Sequence, residues 1–143
     1  MQDNLHKNRR SIRLSGYDYG RAGAYYITIC IHDRKCVFGN ISNGEMLINE
    51  YGRIVKDEWM KTEHIRKNVG LDVFVIMPNH FHGIIYIFDG DYAKATQRVA
   101  PTSQTLKSNS IGAIIGQFKS ITAKNINRMG LDDSNGSAII MSI

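Results

Sequence analysis

Apolar and polar positions alternate with two different periods along the chain, and these periods divide it into strands and helices. The β-branched and aromatic stretch Tyr25–His32 predicts a buried first strand. A hairpin is predicted around Asn43-Gly44, because this dipeptide accepts the positive φ angles of a two-residue turn. Its two strands are expected at Val37–Ile41 and Glu45–Ile48.

Two amphipathic helices are predicted from apolar positions that recur with the helical period. Asn49 is expected to cap the first helix, whose apolar positions run from Tyr51 to Ile65. Ser110 is expected to cap the second, whose apolar positions run from Ile111 to Ile126. The polar positions of the second helix that we expect to face water are Gln117, Lys119, Lys124, Asn127 and Arg128.

Between the helices lie two apolar strands that are joined by a turn at Pro78-Asn79. The first is expected at Asp72–Met77, and the second begins at His80 and ends near Phe88. The order strand, helix, strand, strand, helix predicts an α+β fold of the ferredoxin-like, split β-α-β kind, with an antiparallel sheet and two main helices on one face. The last strand of that fold is expected to be missing, because no clear element follows residue 129.

Length and composition favour one soluble domain over residues 1–143. Within it we expect a basic N-terminal arm over residues 1–20 and a polar, aperiodic connection over residues 89–110. Cys30 and Cys36 lack a CxxC spacing, and no apolar leader or membrane-length run is present. A disulfide framework, export and a membrane partner are therefore not expected, and a cytoplasmic location is.

The net charge of +5 favours a polyanionic partner. The cations are concentrated in the N-terminal arm and on the second helix. The alternative for each group is a solvated surface that binds no partner. The candidate DNA-binding residues are Arg9, Arg10, Arg13, Lys119, Lys124 and Arg128.

The segment His80-Phe81-His82 is the strongest candidate for chemistry. Alternation along a strand places His80 and His82 on one face and Phe81 on the other. Neutral imidazole is the commonest metal ligand in proteins, so the pair predicts a metal site, and a polar stripe on the solvent face is the alternative. Ordinary surface or core roles are expected for the scattered His6, His32 and His64.

Short motifs in a fixed order occur along nearly the whole chain, and the His80-Phe81-His82 segment is part of one of them. Taken together, these motifs resemble those of the REP-associated tyrosine transposases, a group of the single-strand-specific HUH transposases. The segments that carry the resemblance are Arg9–Tyr19, Gly23–Cys30, Asn49–Val55, Met77–Gly83, Arg98–Thr102 and Gly116–Ser120.

The resemblance implies metal-assisted cleavage and rejoining of single-stranded or hairpin DNA. In that family the paired histidines, here His80 and His82, hold a divalent ion, Mg²⁺ or Mn²⁺, that polarises the scissile phosphate. A tyrosine hydroxyl then attacks and forms a 5′-phosphotyrosine with a free 3′-OH. Asn79 and Gln117 are further candidates for phosphate or metal contact.

The nucleophile of that family is not recognisable in this chain. The family tyrosine follows the position of Arg128, in a motif close to Trp-Gln-Arg-Asn-Tyr-Tyr-Glu-His-Ile, whereas this sequence has no tyrosine after Tyr92. Tyr86 is a weak candidate on the histidine face, but four strand residues place it about 13 Å from His82. A packing role for Tyr86 is preferred, and no catalytic nucleophile is assigned.

Residues 130–143 are interpreted as an out-of-frame tail. Synonymous codons for Asn135–Ile143 can be chosen so that another reading frame encodes Trp-Gln-Arg-Asn-Tyr-Tyr-Glu-His. Our hypothesis is that the frame slipped between Arg128 and Asn135, so that the tyrosine helix was lost. Sequencing the gene through this region tests it, because codons that cannot encode the motif in any frame would exclude the hypothesis.

Three functions remain open from the sequence. The first is a transposase-type protein that acts on single-stranded hairpin DNA without its nucleophile, as a monomer or homodimer. The second is a non-catalytic DNA-binding remnant or repressor of related elements. The third is a metal-binding ferredoxin-like domain with no nucleic-acid partner.

Overall fold

A four-stranded antiparallel sheet carries two helices on one face. The computed structural model describes residues 15–89, 110–130 and 141–142, the last two by their backbone pairing. The elements are β1 (Gly23–Ile31), β2 (Gly39–Ser42), β3 (Glu45–Ile48), α1 (Glu50–Ile65), β4 (Val69–Met77), β5 (His80–Ile87), α2 (Ile111–Arg128) and β6 (Met141–Ser142).

The sheet order is β4-β5-β1-β6, with β2 and β3 forming a separate hairpin. The central pair β5 and β1 is antiparallel, from Gly23 opposite Ile87 to Cys30 opposite His80. Helix α1 connects β1 to β4 after the hairpin, and α2 follows β5. This arrangement confirms the predicted α+β, ferredoxin-like split β-α-β fold.

The expectation that the last strand is missing was wrong. Met141 and Ser142 pair with Ile31 and Cys30 and so form β6 at the free edge of β1. A two-residue strand is too short to show any period, which is why the sequence pattern did not predict it. Most of the predicted tail, residues 131–140, and most of the predicted connection, residues 90–109, lie outside the described residues.

The core lies between the sheet and the helices and is centred on three aromatic rings. Trp59 of α1 meets Phe81 of β5 at 4.7 Å and Phe118 of α2 at 5.3 Å between ring centroids, both edge to face. Phe81 and Phe118 are themselves 5.8 Å apart. Such pairs add to the stabilisation from burial, so this triad fixes both helices on the inner face of β5.

The predicted caps and turn are confirmed. Asn49 accepts a hydrogen bond from the Gly52 amide at 3.0 Å, and Ser110 accepts one from the Ala113 amide at 3.3 Å. The hairpin turn has φ of 51° at Asn43 and 80° at Gly44, which suits a two-residue hairpin connection. Local sequence therefore determines where these elements begin.

Strand β4 begins earlier than predicted, at Val69 rather than Asp72. Val69 and Gly70 are buried opposite Ile87 and Tyr86, and an irregularity between Leu71 and Phe74 interrupts the pairing. A bulge of this kind breaks the alternation on which the prediction depended.

The turn between β4 and β5 is held by backbone hydrogen bonds. The Ile31 amide donates to the Asn79 carbonyl at 3.0 Å, and the Phe38 amide donates to the Pro78 carbonyl at 2.9 Å. The start of β5 is thereby tied to the end of β1 and to the segment that leads into the hairpin. Neither α1 nor α2 combines the length and apolar content needed to span a bilayer.

Candidate functional site

His80 and His82 lie side by side at the start of β5, as predicted. Both are half-buried on the face of the sheet that the helices leave open, and their ring centroids are 4.8 Å apart. Phe81 points to the opposite face and is 1% exposed. The two imidazoles are therefore presented by a strand whose position is fixed by the core.

The ring nitrogens nearest the backbone are engaged by neighbours. His82 Nδ1 lies 2.9 Å from the Thr28 hydroxyl on β1, and His80 Nδ1 lies 2.7 Å from the side-chain oxygen of Asn79. Thr28 is the residue directly opposite His82 in the β1–β5 ladder. The two Nε2 atoms are the nitrogens left to meet a ligand.

Tyr26 forms a wall of the site beside His82. Its ring stacks on the imidazole with 5.5 Å between centroids and 20° between planes, and the side chain is 67% exposed. Stacking restricts rotation of the His82 ring while it leaves most of the Tyr26 side chain open to solvent. An exposed aromatic face is also a surface on which an unpaired base can stack.

The inner face of β5 requires a glycine at position 83. A Cβ atom on Gly83 would lie 2.7 Å from Trp59 Cζ2 and 2.9 Å from Phe81 Cζ. Trp59 is fully buried, so its ring has little room to move. The His-Phe-His-Gly sequence thus combines two candidate ligand positions with two packing positions.

The pKa of His80 is lowered from its usual value. Burial is the main cause, and the nearby His82 and Arg34 act in the same direction through their charge. A lowered pKa favours the neutral imidazole, which is the form that ligates a metal. The Arg34 charge therefore lies close enough to His80 to act on its pKa.

The two histidines suit a divalent ion only as part of its ligand shell. Across residues 15–89 and 110–130, no group of three His, Cys, Asp or Glu side chains is arranged to hold a metal. Mg²⁺ and Mn²⁺ prefer oxygen ligands and accept six. The imidazoles fit such an ion if water and phosphate oxygens supply the other positions. Mn²⁺ fits nitrogen ligands better than Mg²⁺ does, since imidazole is a softer donor than carboxylate or water.

Tyr86 lies on the histidine face, but its hydroxyl is engaged elsewhere. The hydroxyl donates to Asp72 Oδ2 at 3.0 Å. This hydrogen bond and the Asp72 charge raise the pKa of Tyr86, which opposes formation of a phenolate nucleophile. The geometry favours the packing role for Tyr86.

The predicted DNA-binding residues of α2 are not brought to the histidines. Lys124 and Arg128 are exposed on α2 and Lys119 is half-buried there, in the helical layer that covers the opposite face of the sheet. Gln117 accepts a hydrogen bond from Arg66, the residue that follows α1. Arg9, Arg10 and Arg13 lie outside the described residues.

Sequence reasoning missed the residues that support the imidazoles. The sequence pattern gives neither Thr28 nor Tyr26 a place beside the imidazoles, and it indicates Asn79 only as a candidate for direct phosphate or metal contact. Alternation in β1 indicates that Tyr26 and Thr28 share a face. Their pairing with β5 depends on register, for which the sequence has no comparable signal.

Comparison with known proteins identifies a relative of undetermined function. No family model matches the chain. A Haemophilus influenzae protein described as an uncharacterized protein is 41% identical over an alignment of 116 residues, which covers 78% of this chain and 64% of that protein. The chain thus spans less than two thirds of this relative's length.

Proposed function

We propose that the protein is a transposase-type DNA-binding protein of the REP-associated, HUH kind, which binds single-stranded hairpin DNA in the cytoplasm. The observation that carries the proposal is the pair His80 and His82 on the sheet face opposite the helices, with each Nδ1 engaged so that Nε2 is the nitrogen left on each ring. The resemblance of the surrounding motifs supplies the substrate class. In this proposal the protein acts as a monomer or homodimer.

Different residues of the site would contact the metal ion, the base and the phosphate of a bound phosphodiester. His80 and His82 would hold a divalent ion, Mg²⁺ or Mn²⁺, which when bound neutralises charge on the phosphate oxygens. Tyr26 would stack a base next to the bound phosphate, because its ring is exposed beside His82. Arg34 would add positive charge near His80.

Strand cleavage through a 5′-phosphotyrosine is the chemistry of the family that the chain resembles, and we propose that this chain lacks the nucleophile for it. The Tyr86 hydroxyl on the histidine face is bound to Asp72, and its raised pKa opposes use as a nucleophile. The expected activity is binding of the hairpin without a covalent product.

Metal and DNA titrations test the proposal. Mn²⁺ affinity is measured for the wild type, His80→Ala and His82→Ala, with His64→Ala as the control because His64 is exposed at the end of α1. Each change at the pair should weaken Mn²⁺ binding by about tenfold or more, since even residues that only support a ligand cost this much. Equal affinity in all four proteins would exclude the metal site.

A labelled hairpin with a single-stranded flank tests the DNA half of the proposal. We expect the wild type to bind it more tightly with Mn²⁺ than without, and His82→Ala to lose this difference. Denaturing electrophoresis should show no protein–DNA adduct. An adduct that maps to Tyr86 would overturn the assignment of an absent nucleophile.

A non-catalytic remnant or repressor of related elements is the second candidate. The engaged hydroxyl of Tyr86 favours it, because a binding module needs no free nucleophile. Hairpin binding that is independent of Mn²⁺ and of both histidines would favour this function over a transposase-type site.

A further inference from the structure

Asn79 holds its side-chain amide in one defined orientation. Its Nδ2 donates to the backbone carbonyl of Arg34 at 3.1 Å, and its Oδ1 lies 2.7 Å from His80 Nδ1. A carbonyl oxygen accepts hydrogen bonds and cannot donate them. The NH₂ group must therefore face Arg34, and the amide oxygen must face the imidazole.

The orientation of the amide determines which nitrogen of His80 carries the proton. Asn79 Oδ1 is an acceptor, so His80 Nδ1 must be the donor. In the neutral ring the proton then lies on Nδ1, and the lone pair lies on Nε2. Free imidazole side chains favour the opposite tautomer, with the proton on Nε2, so Asn79 acts against the intrinsic preference.

The turn around Asn79 makes this contact rigid. The backbone carbonyl of Asn79 accepts from the Ile31 amide at 3.0 Å, and the preceding Pro78 carbonyl accepts from the Phe38 amide at 2.9 Å. Arg34, which accepts from the side chain, lies in the short 3-10 turn that follows β1. The backbone of the turn is thus fixed by Ile31 and Phe38, and the Asn79 side chain is fixed by the Arg34 carbonyl.

His82 has a different kind of partner. The Thr28 hydroxyl at 2.9 Å can donate or accept, because it rotates to suit the ring. Thr28 therefore stabilises the position of the His82 ring without choosing its tautomer. The two histidines are equivalent in sequence but not in how their protons are controlled.

We infer that Asn79 is a positioning residue that fixes His80 as the Nδ1–H tautomer and so presents the Nε2 lone pair to a divalent cation. The inference rests on the proposed metal site for its purpose, while the tautomer itself is a property of the metal-free protein. Partners of this kind typically change metal affinity by about tenfold to a hundredfold when removed.

Nitrogen NMR of histidine-labelled, metal-free protein at about pH 8 tests the tautomer directly, at a pH where imidazole is neutral. The His80 signals are assigned with His80→Gln. We expect a protonated Nδ1 and an unprotonated Nε2 in the wild type. Asn79→Asp, which keeps an acceptor for Nδ1–H, should preserve this tautomer, whereas Asn79→Ala should shift His80 towards Nε2–H. Thr28→Val is the matched control and should leave His80 unchanged.

The substitutions are compatible with the backbone, because Asn79 is not among the described residues with positive φ. If Asn79→Ala does not fold, the wild-type tautomer still tests the inference, because it requires the proton on Nδ1. A wild-type His80 protonated on Nε2, or an unchanged tautomer in Asn79→Ala, would overturn the inference.

Mn²⁺ titration separates this inference from the proposed function. Asn79→Ala should weaken Mn²⁺ binding about tenfold to a hundredfold. Binding that depends on His80 and His82 but not on Asn79 would refute the positioning role and leave the metal site intact. The expected tautomer in a protein that binds no Mn²⁺ would refute the metal site and leave the role of Asn79 in setting the tautomer intact.

Discussion

Each residue of His80–Gly83 belongs to one of two faces, and the faces have different requirements. On the open face the imidazoles need partners for Nδ1, which Asn79 and Thr28 provide. On the inner face Phe81 fills the core and Gly83 leaves space for the Trp59 ring. A single tetrad therefore serves both folding and the candidate site.

Gly83→Ala is expected to destabilise the protein by about 1–3 kcal/mol, the usual cost of overpacking. The added methyl would lie 2.7 Å from Trp59 Cζ2, and the buried ring cannot move away freely. Urea unfolding measures the change.

Gly116→Ala is the matched control for this prediction. A Cβ atom there meets nothing within 4 Å, and the residue is exposed within α2. This change should stabilise the protein by about 0.5–1 kcal/mol, because alanine loses less backbone entropy in a helix. Equal stability of the two variants would contradict the packing role of Gly83.

At the scale of elements, Asn49 connects α1 to the hairpin. Its Oδ1 accepts from the Gly52 amide at 3.0 Å and its Nδ2 donates to the Val37 carbonyl at 2.7 Å. Its own amide donates to the Phe38 carbonyl at 2.9 Å. One side chain thus begins the helix and fixes it against the segment before β2.

Asn49→Ala should lower the free energy of unfolding by about 1–2 kcal/mol, since it removes the helix cap and the bond to Val37. Asn49→Asp keeps an acceptor for the Gly52 amide and loses only the donor, so its loss should be smaller. Thermal and urea unfolding of both variants measure the difference. An equal loss in the two variants would show that the donor to Val37 matters and that the cap adds little.

The elements differ in how well the sequence predicts them. The starts of α1 and α2 and the β2–β3 turn were predictable, because each depends on side chains next to it in sequence. The early start of β4 and the two-residue β6 were not, because pairing with β5 and β1 determines them. For the same reason the histidine pair was predictable from alternation, whereas Thr28 as the partner of His82 was not.

At the scale of the whole molecule, the sheet separates the histidines from the exposed cations of α2. The helices cover the inner face of the sheet, and the site lies on the other. If both regions bind one DNA molecule, the strand must pass around an edge of the sheet. The two regions should then contribute independently, as distant sites usually do.

The double change Lys124→Gln and Arg128→Gln should weaken hairpin binding and reduce its salt dependence by about one unit of slope per lost phosphate contact. Mn²⁺ affinity should not change, because the cations lie in the helical layer on the other side of the sheet. Fluorescence anisotropy over a range of salt concentrations measures the slope.

Arg53→Gln with Lys56→Gln is the matched control, since it removes the same charge from exposed positions of α1. An equal loss of binding in the two double variants would mean that DNA responds only to the net charge of +5. If neither double variant binds the hairpin more weakly, these cations do not contact DNA and only face solvent.

The pairing of β1 with β5 makes the candidate site a late product of folding. Thr28 and His82 are 54 residues apart in the chain, and their contact closes a large loop. Closing such a loop costs entropy before the contacts formed can offset it, so pairing of this kind is slow relative to helix formation. The supported imidazole pair therefore exists only after the sheet has closed, and any ligand that requires it selects fully folded molecules and stabilises them by mass action.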